Sequence, residues 1–341
     1  MEENKCSNYN YGIALLKMLM CFEVILIHFW SEPSSILLTP FRILEEYAVP
    51  TFMFLSFYFS KNTFLTNDFS KAKKRFWKII YPQIGWTVLY SIILISFQIR
   101  INLGISFYDF LWQLFTGHSP KINPSMWFQS VLITLTFIFT LLFKYLNKKR
   151  SMSLILFLTF ASILIQHSGL NYKIFGSLRY ELKYPLGRIC EMIPYASTGF
   201  IIAYFDIYNR IKKKNTLVLT LFGFAILILL KNRYALPSAP GFNYSHTSNL
   251  ILVFFLAGFA YLLPLEQISD KIKIIIHFIT RFTLGIYCMH RLVAFVLSGG
   301  AQLLNLEVNS FILCLTIYLI SFSTSLIICK ISPRLFKPLV E

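Results

Sequence analysis

Residues 13–30 read IALLKMLMCFEVILIHFW, an apolar run of membrane-spanning length that carries two basic side chains, Lys17 and His28. On an α-helix the eleven positions between them amount to about 1,100°, close to three whole turns, so both lie on one face about 16 Å apart along the axis. Ionisable groups are costly inside a bilayer, and those that occur there usually mark a functional site. Lys17 and His28 are therefore the first candidates for such a site.

The composition indicates that the whole chain is embedded in a membrane. Hydrophobic residues make up 56% of its 341 positions and charged residues 14%, and runs long enough to cross a hydrocarbon core of about 30 Å recur along it. We therefore predict an all-α polytopic membrane protein with about ten transmembrane helices, forming a single domain over residues 1–341. The predicted spans are 13–30, 47–59, 77–97, 126–146, 152–165, 185–205, 217–230, 250–263, 282–297 and 311–329, with an interfacial helix at 107–115.

The net charge of +17 is distributed as in a membrane protein of the inner (cytoplasmic) membrane. Twenty of the 32 lysines and arginines lie in alternate connections, namely 61–78, 144–150, 210–214, 271–281 and 330–337. A basic excess marks the cytoplasmic side, so both termini are predicted to be cytoplasmic and residues 173–183 to lie outside. This pattern argues against nucleic acid as a partner and favours membrane lipids; it leaves the oligomeric state open.

The first run is predicted to be a retained helix and not a cleaved signal peptide, because it contains Glu23 and His28 and lacks a small-residue cleavage pattern. The cysteines show no paired spacing and no Cys-x-x-Cys motif. We expect them to be small apolar residues, with no metal site and no permanently bound cofactor. They are Cys6, Cys21, Cys190, Cys288, Cys314 and Cys329.

Five short motifs follow one another along nearly the whole chain. Residues 15–29, LLKMLMCFEVILIHF, place a histidine eleven positions after a basic residue, and residues 49–60 read VPTFMFLSFYFS. Residues 73–82 read KKRFWKIIYP, 126–128 read MWF and 283–290 read TLGIYCMH. In this order the motifs resemble the integral-membrane acyltransferase-3 family, which moves acyl groups, usually acetyl, onto extracytoplasmic sugars. The chain departs from the family at Phe57, where a glycine commonly follows the serine, and at Ala14, where an acidic residue is often found.

The resemblance implies a membrane O-acyltransferase that uses cytoplasmic acyl-CoA, with acetyl-CoA as the co-substrate, and a glycan or lipid-linked sugar as the acceptor. It also implies that Arg75 binds acyl-CoA. An arginine fork suits phosphate oxygens, although a basic residue here could also be an inner-side anchor. Lys17 faces the predicted cytoplasmic boundary, where it could attract the anionic donor or extend to the interface as many lysines do.

His28 is the candidate catalytic base, because acyl transfer to a hydroxyl needs a group that accepts its proton and imidazole titrates near neutrality. The alternative is a core histidine hydrogen-bonded to a neighbouring helix. Direct transfer and an acyl-His28 intermediate both remain open.

The second candidate catalytic residue is Glu191, which lies three positions after Arg188 on a predicted helix. The two could form a local ion pair or orient His28 or the acceptor sugar from an outer cavity. Further residues expected to line the cavity or the acceptor site are Ser56, Trp127, Arg188, Tyr287 and His290. Trp127 could instead belong to the interfacial aromatic belt, and Tyr287 and His290 could simply shape the bundle.

Two other classes of protein are compatible with this membrane pattern. A polysaccharide exporter or flippase would need no acyl-CoA pocket and should tolerate loss of His28. A membrane sensor is the third possibility, but the chain contains no soluble signalling domain.

Overall fold

A computed structural model describes residues 9–29, 44–66, 68–101, 106–119, 122–167, 180–212, 216–235, 244, 247–303 and 309–340. Over these ranges the chain is α-helical with short 3-10 turns and has no strand, which confirms the all-α prediction. The helices are α1 Tyr11–Phe29, α2 Ala48–Tyr58, α3 Lys61–Leu65, α4 Phe69–Ile101, α5 Phe107–Thr116, α6 Trp127–Tyr145, α7 Lys148–His167, α8 Tyr180–Tyr204, α9 Ile207–Lys212, α10 Thr216–Ala235, α11 Thr247–Leu262, α12 Asp270–Thr280, α13 Thr283–Leu303, α14 Ser310–Ile331 and α15 Pro333–Val340.

Each of the ten predicted spans coincides with a helix, and the predicted interfacial helix is α5. By length and composition, five helical stretches of the described chain can cross a membrane: Tyr11–Phe29, Pro124–Tyr145, Lys148–Gln166, Thr283–Gly300 and Ser310–Ile331. Helix α2 has 11 residues and is about 16 Å long, too short to cross the bilayer unaided. The orientation in the membrane stays a prediction, and residues 168–179 and Cys6 lie outside the described residues.

Helix α2 lies at the centre of the bundle and is surrounded by α1, α8 and α11. Its side chains Met53, Phe54 and Phe57 are fully buried. The helix is apolar on every side, as expected of a helix inside a large core. It packs most extensively on α8, where Gly199 allows the backbone of Phe54 to approach. Burial of α2 thereby fixes the position of the polar Ser56 on the same helix.

The short helix α15 packs against α4, α13 and α14. The indole Nε1 of Trp86 on α4 donates a hydrogen bond to the carbonyl oxygen of Leu339, 2.9 Å away. Gly85 leaves room for the side chain of Leu339, and Gly285 on α13 leaves room for Val340. Helix α15 therefore joins α4, which carries Arg75, to α13, which carries the TLGIYCMH motif.

Candidate active site

His28 lies at the C-terminal end of α1 among polar side chains from distant parts of the sequence. Its Nε2 is 3.2 Å from the Oγ of Ser125, and its Nδ1 is 2.9 Å from the Nη2 of Arg291. Arg291 also donates from Nε to the Oγ of Ser125 at 2.8 Å, which closes a triangle of three hydrogen-bonding side chains. Together with Tyr287 and His290, these residues are called the His28 cluster.

Ser125 is held firmly because its backbone is bound on two sides. It lies in the 3-10 turn Pro124–Met126, where its N–H donates to the Oδ1 of Asn123 at 3.0 Å. Its carbonyl oxygen accepts a hydrogen bond from the hydroxyl of Tyr287. Gly117, with a φ of 66°, lies so close to the Met126 backbone that a side chain there would collide with it. The turn therefore presents the Ser125 hydroxyl to His28 in a fixed position.

His290 completes the cluster from α13. Its ring is stacked on that of His28 with the centroids 5.5 Å apart and an interplanar angle of 10°. Its Nδ1 lies 2.5 Å from the carbonyl oxygen of Tyr287, and since a carbonyl only accepts, this nitrogen carries a proton. Tyr90 fixes α13 in place: its hydroxyl donates to the carbonyl of Cys288 at 2.7 Å and accepts from the N–H of Leu292 at 3.1 Å.

A second polar group, the Arg75 cluster, consists of Ser56, Phe57, Phe64 and Arg75. The Nη2 of Arg75 donates to the Oγ of Ser56 at 2.9 Å, and its guanidinium lies 5.9 Å from the ring of Phe57 and 5.8 Å from that of Phe64. Lys17 lies near the same end of α2, with its Nζ 5.3 Å from the ring centre of Phe59. The structure thus brings the two predicted donor-binding residues towards one end of α2.

A cavity of about 180 Å³ adjoins the His28 cluster at Tyr287. Its lining also includes Lys78, which is three residues after Arg75 on α4. Its remaining lining is mostly apolar: Phe52, Ile79, Pro82, Phe128, Gln129, Leu132, Thr283 and Leu284. Such a lining suits a largely apolar part of a ligand.

A larger cavity, of about 270 Å³, adjoins the Arg75 cluster at Phe64. Its lining is more polar, since it includes Thr63, Thr66, Asp68 and Lys144. Asp68 at its edge accepts a hydrogen bond from the Ser70 hydroxyl at 2.6 Å, which lowers the pKa of this carboxyl. The lining thus offers hydrogen-bonding groups to a polar ligand.

Arg188 and Glu191 form the ion pair that their spacing allows, with 2.7 Å between Nη1 and Oε2. The Arg188 guanidinium is enclosed by three rings, with ring centres 4.8 Å away for Trp127, 5.2 Å for Tyr184 and 5.3 Å for Tyr244. Trp127 follows Ser125 by two residues, so this aromatic group adjoins the turn that holds the His28 cluster.

The hydrogen bonds of His28 within the described chain go to Ser125 and Arg291, whereas Glu191 bonds to Arg188. Sequence reasoning did not single out Ser125 or Arg291. The available signals were weak: Ser125 directly precedes the MWF motif, and Arg291 directly follows TLGIYCMH inside an apolar helix. A charge in such a helix is the kind of feature that should have been selected.

His118, in the connection after α5, stacks on Tyr184 with 3.8 Å between ring centres. Burial lowers the pKa of His118, and the charges of Arg188 and Arg291 lower it further, while its hydrogen bond with the carbonyl of Pro124 opposes both. A lowered pKa favours the neutral ring, whose Nδ1 lies 3.1 Å from the carbonyl oxygen of Pro124 and braces the turn that carries Ser125.

Apolar membrane-length helices around a histidine-centred polar cluster define a helical membrane protein with an enzyme-like site. A comparison with protein families gives the class: the sequence model described as an acyltransferase domain matches residues 10–330. The chain therefore belongs to this acyltransferase family and is a membrane acyltransferase. No curated protein and no solved structure matches the chain significantly.

Proposed function

We propose that the protein transfers an acyl group, acetyl in the first instance, from cytoplasmic acyl-CoA to a hydroxyl of an extracytoplasmic or lipid-linked glycan. The observation that carries this proposal is the imidazole of His28, which is held by Ser125 and Arg291 at the far end of α1 from Lys17. A cavity is lined both by Tyr287 of this cluster and by Lys78, three residues after Arg75 on α4. A donor and an acceptor that arrive from opposite sides of a membrane need such an arrangement.

Donor binding is assigned to Arg75, with Lys17 as a second positive charge. Arg75 is held by the Oγ of Ser56 and two phenyl rings, so its side chain is ordered before any ligand arrives. A guanidinium ordered in advance binds phosphate oxygens at a lower entropic cost than a mobile lysine. The sequence positions both cations at the predicted cytoplasmic end, where acyl-CoA is available.

His28 is assigned the proton transfer. As a base it would take the proton of the sugar hydroxyl while the hydroxyl oxygen attacks the thioester carbonyl; as a nucleophile it would first carry the acyl group itself. Either route ends with an ester on the sugar and free CoA thiol. Trp127 and Tyr244 hold the guanidinium of Arg188 beside Glu191, and this charged pair could donate to and accept from the hydroxyls of a sugar.

The test compares glycan acylation and surface glycan in cells that carry the wild-type protein, His28→Ala or His28→Gln. Loss of a general base costs about 10²–10⁴-fold in rate, so both variants should lose glycan acylation by mass spectrometry while the un-acylated glycan still reaches the surface. His28→Gln keeps hydrogen-bonding capacity and controls for a purely structural effect.

Normal acylation in both variants would remove His28 from the mechanism. Loss of surface glycan with unchanged acylation of what remains would instead favour an exporter.

A further inference from the structure

We propose that Arg291 covers the base nitrogen of His28 in the free protein and uncovers it by moving onto the carbonyl oxygen of the bound acyl group. This inference rests on the proposed function. It makes Arg291 both the cover of His28 and the residue that stabilises the negative charge formed during acyl transfer.

The contacts of His28 determine which of its nitrogens carries the proton. A guanidinium has donors only, so the Nδ1 of His28, 2.9 Å from the Nη2 of Arg291, must accept. In a neutral ring the proton is then on Nε2, which lies 3.2 Å from the Oγ of Ser125. The Oγ of Ser125 accepts from both His28 and the Nε of Arg291. The tautomer of His28 is thus fixed by Arg291.

This tautomer excludes a serine nucleophile activated by His28 and identifies Nδ1 as the basic atom of the ring. A serine activated by histidine must donate its hydroxyl proton to an unprotonated nitrogen, but the nitrogen that faces Ser125 carries a proton. Ser125 is therefore a fixed acceptor and not a nucleophile in this arrangement. The lone pair of His28 is on Nδ1, which Arg291 occupies, so the base is blocked until Arg291 leaves.

Arg291 needs only a short movement to release the Nδ1 of His28. Its Nε bond to the firmly held Ser125 can persist while the planar guanidinium turns about that bond, and this turn moves Nη2 away from His28. Its side chain is half-buried, with the guanidinium 5.6 Å from the ring centre of Phe29. The oxyanion that forms on the acyl oxygen is a better partner for a cation than a neutral imidazole nitrogen is, and this difference favours the exchange.

The resulting reaction balances in atoms and charge. With Nη2 on the acyl oxygen, the freed Nδ1 takes the proton of the sugar hydroxyl, and the sugar oxygen bonds to the carbonyl carbon. The electron pair displaced from the carbonyl bond becomes an oxyanion next to Arg291. Its collapse breaks the carbon–sulfur bond, and the CoA thiolate takes the proton from Nδ1, leaving an ester and a free thiol.

The covering role is tested without turnover, by the rate at which diethyl pyrocarbonate modifies His28 in purified full-length protein, followed by mass spectrometry of the His28 peptide. The reagent attacks an unprotonated imidazole nitrogen. Arg291→Ala should expose Nδ1 and raise this rate, on the order of tenfold for a lost contact of about 1.4 kcal/mol. Arg210→Ala, which removes an exposed arginine of α9, should leave it unchanged. An unchanged rate in Arg291→Ala would overturn the covering role.

The oxyanion role is tested by acetyl transfer from acetyl-CoA in membrane vesicles that contain the cell's own glycan. Removal of one oxyanion donor costs about 10²–10³-fold in kcat, so Arg291→Ala should lose this factor while its dissociation constant for acetyl-CoA stays near the wild-type value. Arg291→Lys should recover part of the rate, and added guanidinium should restore part of it in Arg291→Ala but not in His28→Ala.

Three outcomes are decisive for the second role. A wild-type kcat in Arg291→Ala overturns it, and so does a loss that appears entirely as weaker donor binding. If the alanine variant is not inserted, Arg291→Met, which keeps the length of the side chain and removes its charge and donors, replaces it, and an unreduced kcat with unchanged His28 modification in this variant overturns both roles. Wild-type protein without any acyl transfer would refute the proposed function, whereas the modification assay would still report on the cover.

Discussion

The Arg75 cluster and the His28 cluster are built around the same type of contact, between an arginine and a serine. In each, an arginine donates to a serine Oγ, at 2.9 Å in the first and 2.8 Å in the second. The first adds two phenyl rings, and the second adds two imidazoles and a tyrosine hydroxyl. One arrangement therefore provides a fixed positive charge, and the other joins such a charge to a group that can exchange a proton.

This difference predicts that variants of the two clusters fail in different ways. A fixed charge acts on an anion before the reaction and should govern affinity. A proton-exchanging group acts in the transition state and should govern kcat.

The most decisive test asks whether the two clusters face opposite sides of the membrane. Ser70, exposed at the start of α4 near Arg75, is predicted to be cytoplasmic, and Ser177, outside the described residues, to be extracytoplasmic. In a background without native cysteines, an impermeant thiol reagent applied to intact cells should label Ser177→Cys and not Ser70→Cys. The reverse pattern would invert the orientation and assign the donor to the other side.

Arg75→Ala should weaken acyl-CoA binding by about 10–100-fold, because a charge-assisted phosphate contact contributes about 1.5–3 kcal/mol. At saturating donor the turnover should be nearly normal, unlike that of His28→Ala. Arg75→Lys should recover only part of the affinity, because lysine lacks the bidentate fork. Isothermal titration of purified protein gives the affinity. An unchanged value would leave Arg75 only the role of a positive charge that orients the protein in the membrane.

Gly199→Ala should affect the Arg75 cluster through the position of α2. A methyl group there would collide with the Phe54 carbonyl, and such overpacking costs about 1–3 kcal/mol. The melting temperature in detergent should fall, and donor affinity should weaken while the reactivity of His28 is maintained. Gly187→Ala is the matched control on α8, since nothing lies within 4 Å of its added methyl. Equal melting temperatures for the two variants would contradict this packing account.

The sequence predicted the helices and the Arg75 cluster better than it predicted the His28 cluster, and the reason is physical. Apolar periodicity and length are local properties, and Ser56 and Arg75 are only 19 positions apart, within two recognisable motifs. Ser125 is 97 positions from His28, and Arg291 is 263 positions away. Their meeting depends on how α1, α6 and α13 pack, which hydrophobic patterns do not specify when most helix faces are apolar.

The pairing of Glu191 with Arg188 also shows that sequence predicts contacts within one helix better than contacts between helices. The i, i+3 spacing predicted this contact correctly, because it lies within one helix. Whether the pair also acts on an acceptor depends on neighbours that come from separate helices, and its role in catalysis stays a prediction.

Helix α15 also bears on the order in which the protein is made. Residues 333–340 leave the ribosome after α4 and α13, yet Leu339 and Val340 fill the space between these two helices. A translation product interrupted before residue 333 would contain every side chain of both clusters and still lack the segment that joins their helices. Such a product would reach the membrane with the space between α4 and α13 unfilled. Quality-control proteases could recognise it by this unfilled space.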